Sequence, residues 1–297
     1  MSSLSHSGLL LALCPALGCS LILDGGSGTG EPPTGEVCPL GRFEPSDARS
    51  LPILLTGAGL AAELGYPSLP DDESSLYFEL VGADSVPRLW WVEQFDAGAD
   101  ALAGSRHPSG VQGSPGARFN PIVGPDQQSL YYARYDLDEQ TYVPRRLDLA
   151  LGQPGLDLGG GFDEFFASEY RGRFNGDGVV VAPPNDESVV FDYNGDDGIF
   201  EVQCAAGSCG PDTLVFDGGF NPFVRDDGRL VVFHRPEGIY AGLRSGPGEP
   251  VTPTLLWEGQ PEVAFSTAWL SKDRCRLYFA EAVAGSPTTL WLADKSP

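Results

Sequence analysis

Lysine is nearly missing from this 297-residue chain, standing only at Lys272 and Lys295, and histidine occurs three times. With 41 acidic against 18 basic residues, the formal charge is −23. Such a surface repels phosphate backbones and argues against nucleic acid as a partner. The scarcity of histidine leaves no Ser-His-Asp set to propose: His6 lies in the N-terminal apolar segment, His107 in a Gly/Ser/Pro loop, and His234 at the end of a strand-like run. Zinc is disfavoured because no CxxC-type spacing with a nearby histidine occurs among the six cysteines. No long apolar stretch of period 3.6 follows the first twenty residues, so helix should be scarce. The 39 glycines and 26 prolines instead punctuate short strands.

What the chain does have is a unit that recurs five times. It reads PSLPDDESSLYF at 67–78, NPIVGPDQQSLYY at 120–132, VVVAPPNDESVVF at 179–191, NPFVRDDGRLVVF at 221–233 and TAWLSKDRCRLYF at 267–279. Aligning Leu76, Leu130, Val189, Leu230 and Leu277 gives steps of 54, 59, 41 and 47 residues. Each unit predicts a β-hairpin, since an apolar segment and a β-branched or aromatic one flank a turn of Asp, Asn, Gly or Pro. A third strand is expected at Leu89–Val92, Leu147–Leu149, Ile199–Val202, Ile239–Ala241 and Leu290–Leu292, and a fourth at Thr213–Phe216 and Thr254–Trp257. Self-similarity at this period implies an all-β propeller of four-stranded blades. The fifth unit runs only to its third strand, so a strand within Arg42–Leu55 is expected to complete it and close the ring.

The N-terminus is read as a targeting segment. Residues Gly8 to Leu17 match the apolar core of a signal peptide and are too short to span a bilayer permanently. The stretch Ser20 to Val37 is mostly Gly, Pro, Ser and Thr, a tether composition. The expected organisation is a signal at 1–18, a lipidated Cys19 with its tether at 19–37, and one propeller domain at 38–297. Setting aside Cys14 and Cys19, four cysteines allow three pairings. Cys204 and Cys209 bracket a hairpin-sized connection and suit a local bridge, which leaves Cys38 with Cys275 across the two ends of the domain. In an oxidising compartment both would persist.

Few residues point to chemistry. The turn carboxylates Asp71, Asp72, Asp126, Asp186, Asp226, Asp227 and Asp273 recur at nearly one offset, which marks them as turn formers rather than catalysts. Asp192, Asn194 and Asp196 are a calcium candidate, but the EF-hand positions for Gly and Glu hold Asp197 and Gln203, so a solvated hairpin turn is the stronger expectation. The segment Gly159 to Phe174 breaks the repeat. Its Phe162, Phe165, Phe166 and Tyr170 could share one helical face that either packs on the rim or contacts a protein partner.

From about Phe43 to Ala293 the units resemble TolB-like, WD-type β-propeller repeats of the form P-[SW]-[LFW]-S-x-D-G-x-x-[LI]-x-[FY]. Gly follows the turn Asp only at Asp227-Gly228, and the expected Ser stands only at Ser271. Ala16-Leu17-Gly18-Cys19 resembles the lipobox of bacterial lipoproteins, with ordinary secretion as the alternative. The five units argue for five blades, with six as the alternative if Phe43 to Tyr66 builds most of another. The expected protein is an exported monomer, anchored through lipid and facing the periplasm or cell surface, without cofactor, that displays its loops to envelope protein or polysaccharide as a non-enzymatic scaffold; the role in envelope protein contacts is what the TolB-like resemblance implies. The competing expectation is a carbohydrate-active hydrolase or lyase using rim carboxylates.

Overall fold

A computed structural model describes residues 37–55, 63–81, 87–106, 121–124, 127–136, 141–149, 188–195, 198–205, 208–209, 211, 213–225, 229–246, 248–260, 263–265, 268–283 and 288–296; for 55, 63, 106, 129, 131–136, 141–148, 188–195, 202–205 and 208–209 the backbone alone is described. Contacts divide the chain into Met1–Gly35 and Glu36–Pro297, and every described residue belongs to the second unit. Apart from one 3-10 turn at Pro45–Asp47, the elements among the described residues are all strands.

The N-terminal strands β1 (Ala48–Ser50) and β2 (Ile53–Leu55) belong to different sheets. The first sheet is built by β3 (Glu63–Ser68), β4 (Leu76–Val81), β5 (Pro87–Val92) and β6 (Leu102–Arg106) as an antiparallel meander, with β2 added parallel to β6. The second contains β7 (Ile122–Val123), β8 (Ser129–Asp136) and β9 (Thr141–Asp148). In the third, β10 (Ser188–Gly195) pairs with β11 (Gly198–Ala205), which also pairs with β12 (Ser208–Cys209) and β13 (Thr213–Asp217). The fourth runs β14 (Phe220–Arg225), β15 (Leu230–Arg235), β16 (Gly238–Leu243) and β17 (Thr254–Glu258). In the fifth, β18 (Val263–Phe265) and β19 (Trp269–Leu270) both pair with β20 (Arg276–Val283), which pairs with β21 (Thr289–Asp294). Beyond β21 lies β1, with Ala48 opposite Ala293 and Ser50 opposite Trp291. Among the described residues of 43–66, β1 joins the last sheet, and β2 and β3 join the first.

The repeat is structural as well as textual. Each aligned residue is the first or second residue of its strand, Leu76 of β4, Leu130 of β8, Val189 of β10, Leu230 of β15 and Leu277 of β20, and the four leucines have no exposed surface. Bulges fall at matching places: the first-strand register shifts between Gly65 and Ser68 and again between Phe220 and Phe223, with Tyr66 and Asn221 in left-handed backbone. The third strands slip after Ile199 and after Ile239. Glycine precedes both slips because the fourth strand comes too close for a side chain: a Cβ on Gly198 would lie 2.3 Å from the Phe216 carbonyl, and one on Gly238 2.0 Å from that of Trp257.

Neighbouring sheets pack face to face through their apolar strands. β3 lies against β7 and β20, and β10 and β11 against β14. Trp257 of the fourth sheet meets Phe279 of the fifth at 5.0 Å between ring centroids, within a core shared by the first, fourth and fifth sheets. Burial of these large apolar side chains is the main source of stability. In each meander the first and second strands join at one end, here termed the proximal end, and the second and third join at the opposite, distal end.

Candidate functional site

Three proximal turns share one geometry. The amides of Glu73, Gln127 and Arg274 donate to the carbonyls of Pro70, Gly124 and Ser271, three residues back, at 2.9 Å each. All three residues then take left-handed φ values of 52°, 57° and 61°. Asp72 and Asp273 stabilise such turns by accepting the amides of Ser74 and Cys275, two residues on, at 3.0 Å. That is the turn-forming role expected of the repeated acids. Asp71 departs from it. Its carboxylate takes Arg225 Nη1 at 2.8 Å and Lys272 Nζ at 3.2 Å, while its amide donates to Gln127 Oε1 at 2.6 Å. Asp71, Arg225 and Lys272 each stand five residues before their aligned leucine, so one repeat position supplies an anion from the first unit and cations from the fourth and fifth.

Behind this triad lies a buried carboxylate. Glu73, 8% exposed, accepts the Tyr278 hydroxyl at 2.6 Å and pairs with Arg276 Nη1 at 3.0 Å. Burial raises the Glu73 carboxyl above its ordinary value; the Tyr278 hydrogen bond and the Arg276 charge oppose this without cancelling it. Burial and the neighbouring Glu73 carboxylate also push the Tyr278 phenol up. Asp273 goes the other way: burial works to raise it, but the Ser271 hydroxyl, the Cys275 amide and Arg276 outweigh that and hold it low. The Arg225 guanidinium stacks 4.7 Å from the Trp269 ring centroid, which fixes its direction toward Asp71.

A second pair, Arg244 with Glu201 at 2.6 Å, has side chains 0% and 1% exposed and ties the third repeat to the fourth. Sequence reasoning missed both clusters. The available signal was the change of charge sign at one repeat position.

Cys38 and Cys275 form a disulfide with Cα atoms 5.2 Å apart. Cys204 and Cys209 face each other in the β11–β12 ladder, and their side chains lie outside the described residues. Asp192 and Asn194 are on β10, opposite Glu201 and Ile199 in the backbone register, and Asp196 lies outside the description. Cys19, His107, Phe162, Phe165, Phe166, Tyr170, Asp126, Asp186, Asp226 and Asp227 also lie outside it. His234 is the next-to-last residue of β15, its ring centroid 5.8 Å from that of Phe220. Among the described residues, no group of three or more His, Cys, Asp or Glu could hold a metal ion.

No family model matches the sequence, and no curated protein matches it. Solved structures do. The catalytic domain of an α-L-arabinofuranosidase from Coprinopsis cinerea is 12% identical, with 82% of this chain and 94% of that chain covered at a TM-score of 0.53. A TolB candidate from Agrobacterium tumefaciens is 13% identical over 78% of this chain and 76% of its own, at a TM-score of 0.42. The β-propeller domain of the Trilobed protease from Pyrococcus furiosus is 12% identical over 77% and 66%, at 0.37. The structural neighbours thus include β-propeller proteins, TolB-like ones among them, and at these identities the likeness is one of fold.

Proposed function

We propose that this chain is an exported, lipid-anchored propeller of five blades that works as a non-catalytic scaffold for an envelope protein or polysaccharide. Five successive sheets, the packing of β3 on β20 and the pairing of β1 with β21 support a ring closed by its N-terminal strand. The Gly8–Leu17 apolar run, Cys19 and the Gly/Pro-rich stretch to Val37 support export, lipidation and a tether. The β11–β12 register supports a Cys204–Cys209 bridge. Asp192 and Asn194 are assigned to a hairpin rather than to calcium, and Phe162, Phe165, Phe166 and Tyr170 to partner contact.

One observation supports the non-catalytic reading: among the described residues, the carboxylates gathered at the proximal turns are already engaged. Asp72 and Asp273 bind turn amides, Asp71 two cations, and Glu73 both Tyr278 and Arg276. Carboxylate hydrolysis needs two such groups able to reach a substrate. The competing reading is a glycan hydrolase, which the arabinofuranosidase likeness brings forward. A glycan hydrolysis screen on the mature protein separates the two. No turnover is expected, and turnover abolished by substituting one Asp or Glu overturns the scaffold reading. Affinity capture from an envelope extract, with the tethered protein as bait, then identifies the partner.

A further inference from the structure

Residues 38–55 run as a belt along the outer strands of three sheets. The Phe43 amide donates to the Leu256 carbonyl of β17 at 2.8 Å, and Arg42 pairs with Glu258 at the end of the same strand. β1 then borders β21 of the fifth sheet, the Leu51 amide donates to the Leu290 carbonyl at 2.8 Å, and β2 borders β6 of the first sheet. The grip on each strand is short. β1 and β2 have three residues each, against about five or six in a typical strand, and the Arg42–Glu258 pair is exposed. Phe43 and Leu51 are the large apolar side chains by which the belt reaches the core. Its covalent tie is at the start, where Cys38 is bonded to Cys275 in the proximal turn of the fifth repeat.

We propose that this disulfide is a redox latch: a dithiol reductant that opens it frees the belt as one unit from the fourth, fifth and first sheets and leaves the sheets themselves folded. With the bridge intact, the segment from Cys38 to β3 is a loop tied at both ends and gains little freedom by leaving. Once the bridge is cut, the belt belongs to a free chain end, whose entropy opposes three short pairings. The sheets have ties of their own. Glu73 joins the first repeat to Tyr278 and Arg276 of the fifth, and Asp71 joins it to Arg225 and Lys272 of the fourth and fifth. Both sulfurs also have an acceptor for a thiol proton: Cys275 Sγ lies 3.3 Å from the Asp273 carbonyl within its own turn, and Cys38 Sγ 3.6 Å from that of Lys295. The reductant's thiolate attacks Cys275, 6% exposed against 0% for Cys38, the S–S bond breaks, and Cys38 leaves as a thiolate and takes a proton. The reductant's second thiol then displaces Cys275 as a thiol and closes the reductant's own disulfide, so two electrons and two protons pass to the protein.

Trypsin tests this on the full chain under native conditions, because Arg42 and the exposed Arg49 both lie in the belt and a paired strand resists cleavage until it opens. Mass spectrometry follows the cut after Arg49, while near-UV circular dichroism and tryptophan fluorescence report on the sheets. Dithiothreitol should speed that cut about tenfold or more and leave both spectra as they are in the unreduced protein. Cys38→Ser should do the same without reductant, which separates this bridge from one between Cys204 and Cys209. An unchanged rate at Arg49 in the reduced protein overturns the latch, since the belt then holds without its bridge. A bridge that dithiothreitol leaves intact under native conditions overturns it as well. So does faster cutting with loss of the near-UV signal, because the bridge then supports the whole domain and not the belt.

Discussion

The Tyr278 hydroxyl donates to the Glu73 carboxylate at 2.6 Å, joining the second strand of the fifth repeat to the proximal turn of the first. Tyr278 is fully buried, and its ring is wedged edge-on between Phe95 and Trp269 at 5.6 and 5.5 Å. The hydrogen bond therefore forms where water cannot replace it. Tyr278→Phe should cost about 1.5–3 kcal/mol, the range for a hydrogen bond to a charged acceptor left short of a donor. Urea unfolding checks this, and a loss below about 0.5 kcal/mol would mean the contact is energetically idle.

The same carboxyl predicts a pH signature. Its value is raised in the folded state by burial, so the fold holds the Glu73 proton more tightly than the unfolded chain does. This contribution is fully present below the ordinary carboxylate value and is lost as pH rises through the raised one. Glu73→Gln does not titrate there. The melting temperature of wild type minus that of Glu73→Gln should fall as pH climbs from about 4 toward neutrality. A difference that grows with pH over that range would contradict burial as the dominant cause.

Arg244 and Glu201 pair without solvent contact. Removing one partner strands a buried charge, so Arg244→Met alone should cost about 3–5 kcal/mol. Arg244→Met combined with Glu201→Leu should recover most of that loss, because the apolar pair carries no desolvation penalty. Chemical denaturation of the single and double variants gives the comparison, and additive losses would refute it.

The Cys38–Cys275 bridge spans a sequence separation of 237. Closing so long a loop in the unfolded chain is worth about 3–5 kcal/mol. Cys38→Ser should lower stability by that order in differential scanning calorimetry. In the unreduced protein, mass mapping of proteolytic fragments should recover the two cysteines as one linked peptide pair.

The repeat was legible because its signal is sameness. The aligned Leu76, Leu130, Leu230 and Leu277 are all fully buried, and apolar anchors of one kind at one offset stand out in a sequence. The charged centre was not legible, because its signal is difference. Asp71, Arg225 and Lys272 occupy one repeat position with opposite signs, and their complementarity exists only once the first repeat meets the fourth and fifth. Asp71 also sits one residue from Asp72, so its ion-pairing role was hidden among the turn formers. Glu73 follows the turn acids of the first unit, and its buried partner Tyr278 stands 205 positions away. The stretch at 42–55 was expected to complete the last sheet, and β1 pairs there, but β2 crosses to the first sheet, a division with no composition cue.

The pairing of Ala48 with Ala293 also dictates an order of events during synthesis. The segment that will border the final sheet leaves the ribosome early and has no partner until β21 has been made. A nascent chain of this kind carries an unmatched strand for most of its elongation, so its last step is slow and exposed to mispairing. Keeping the polypeptide unfolded until it is whole, as passage through a translocase would do, removes that hazard.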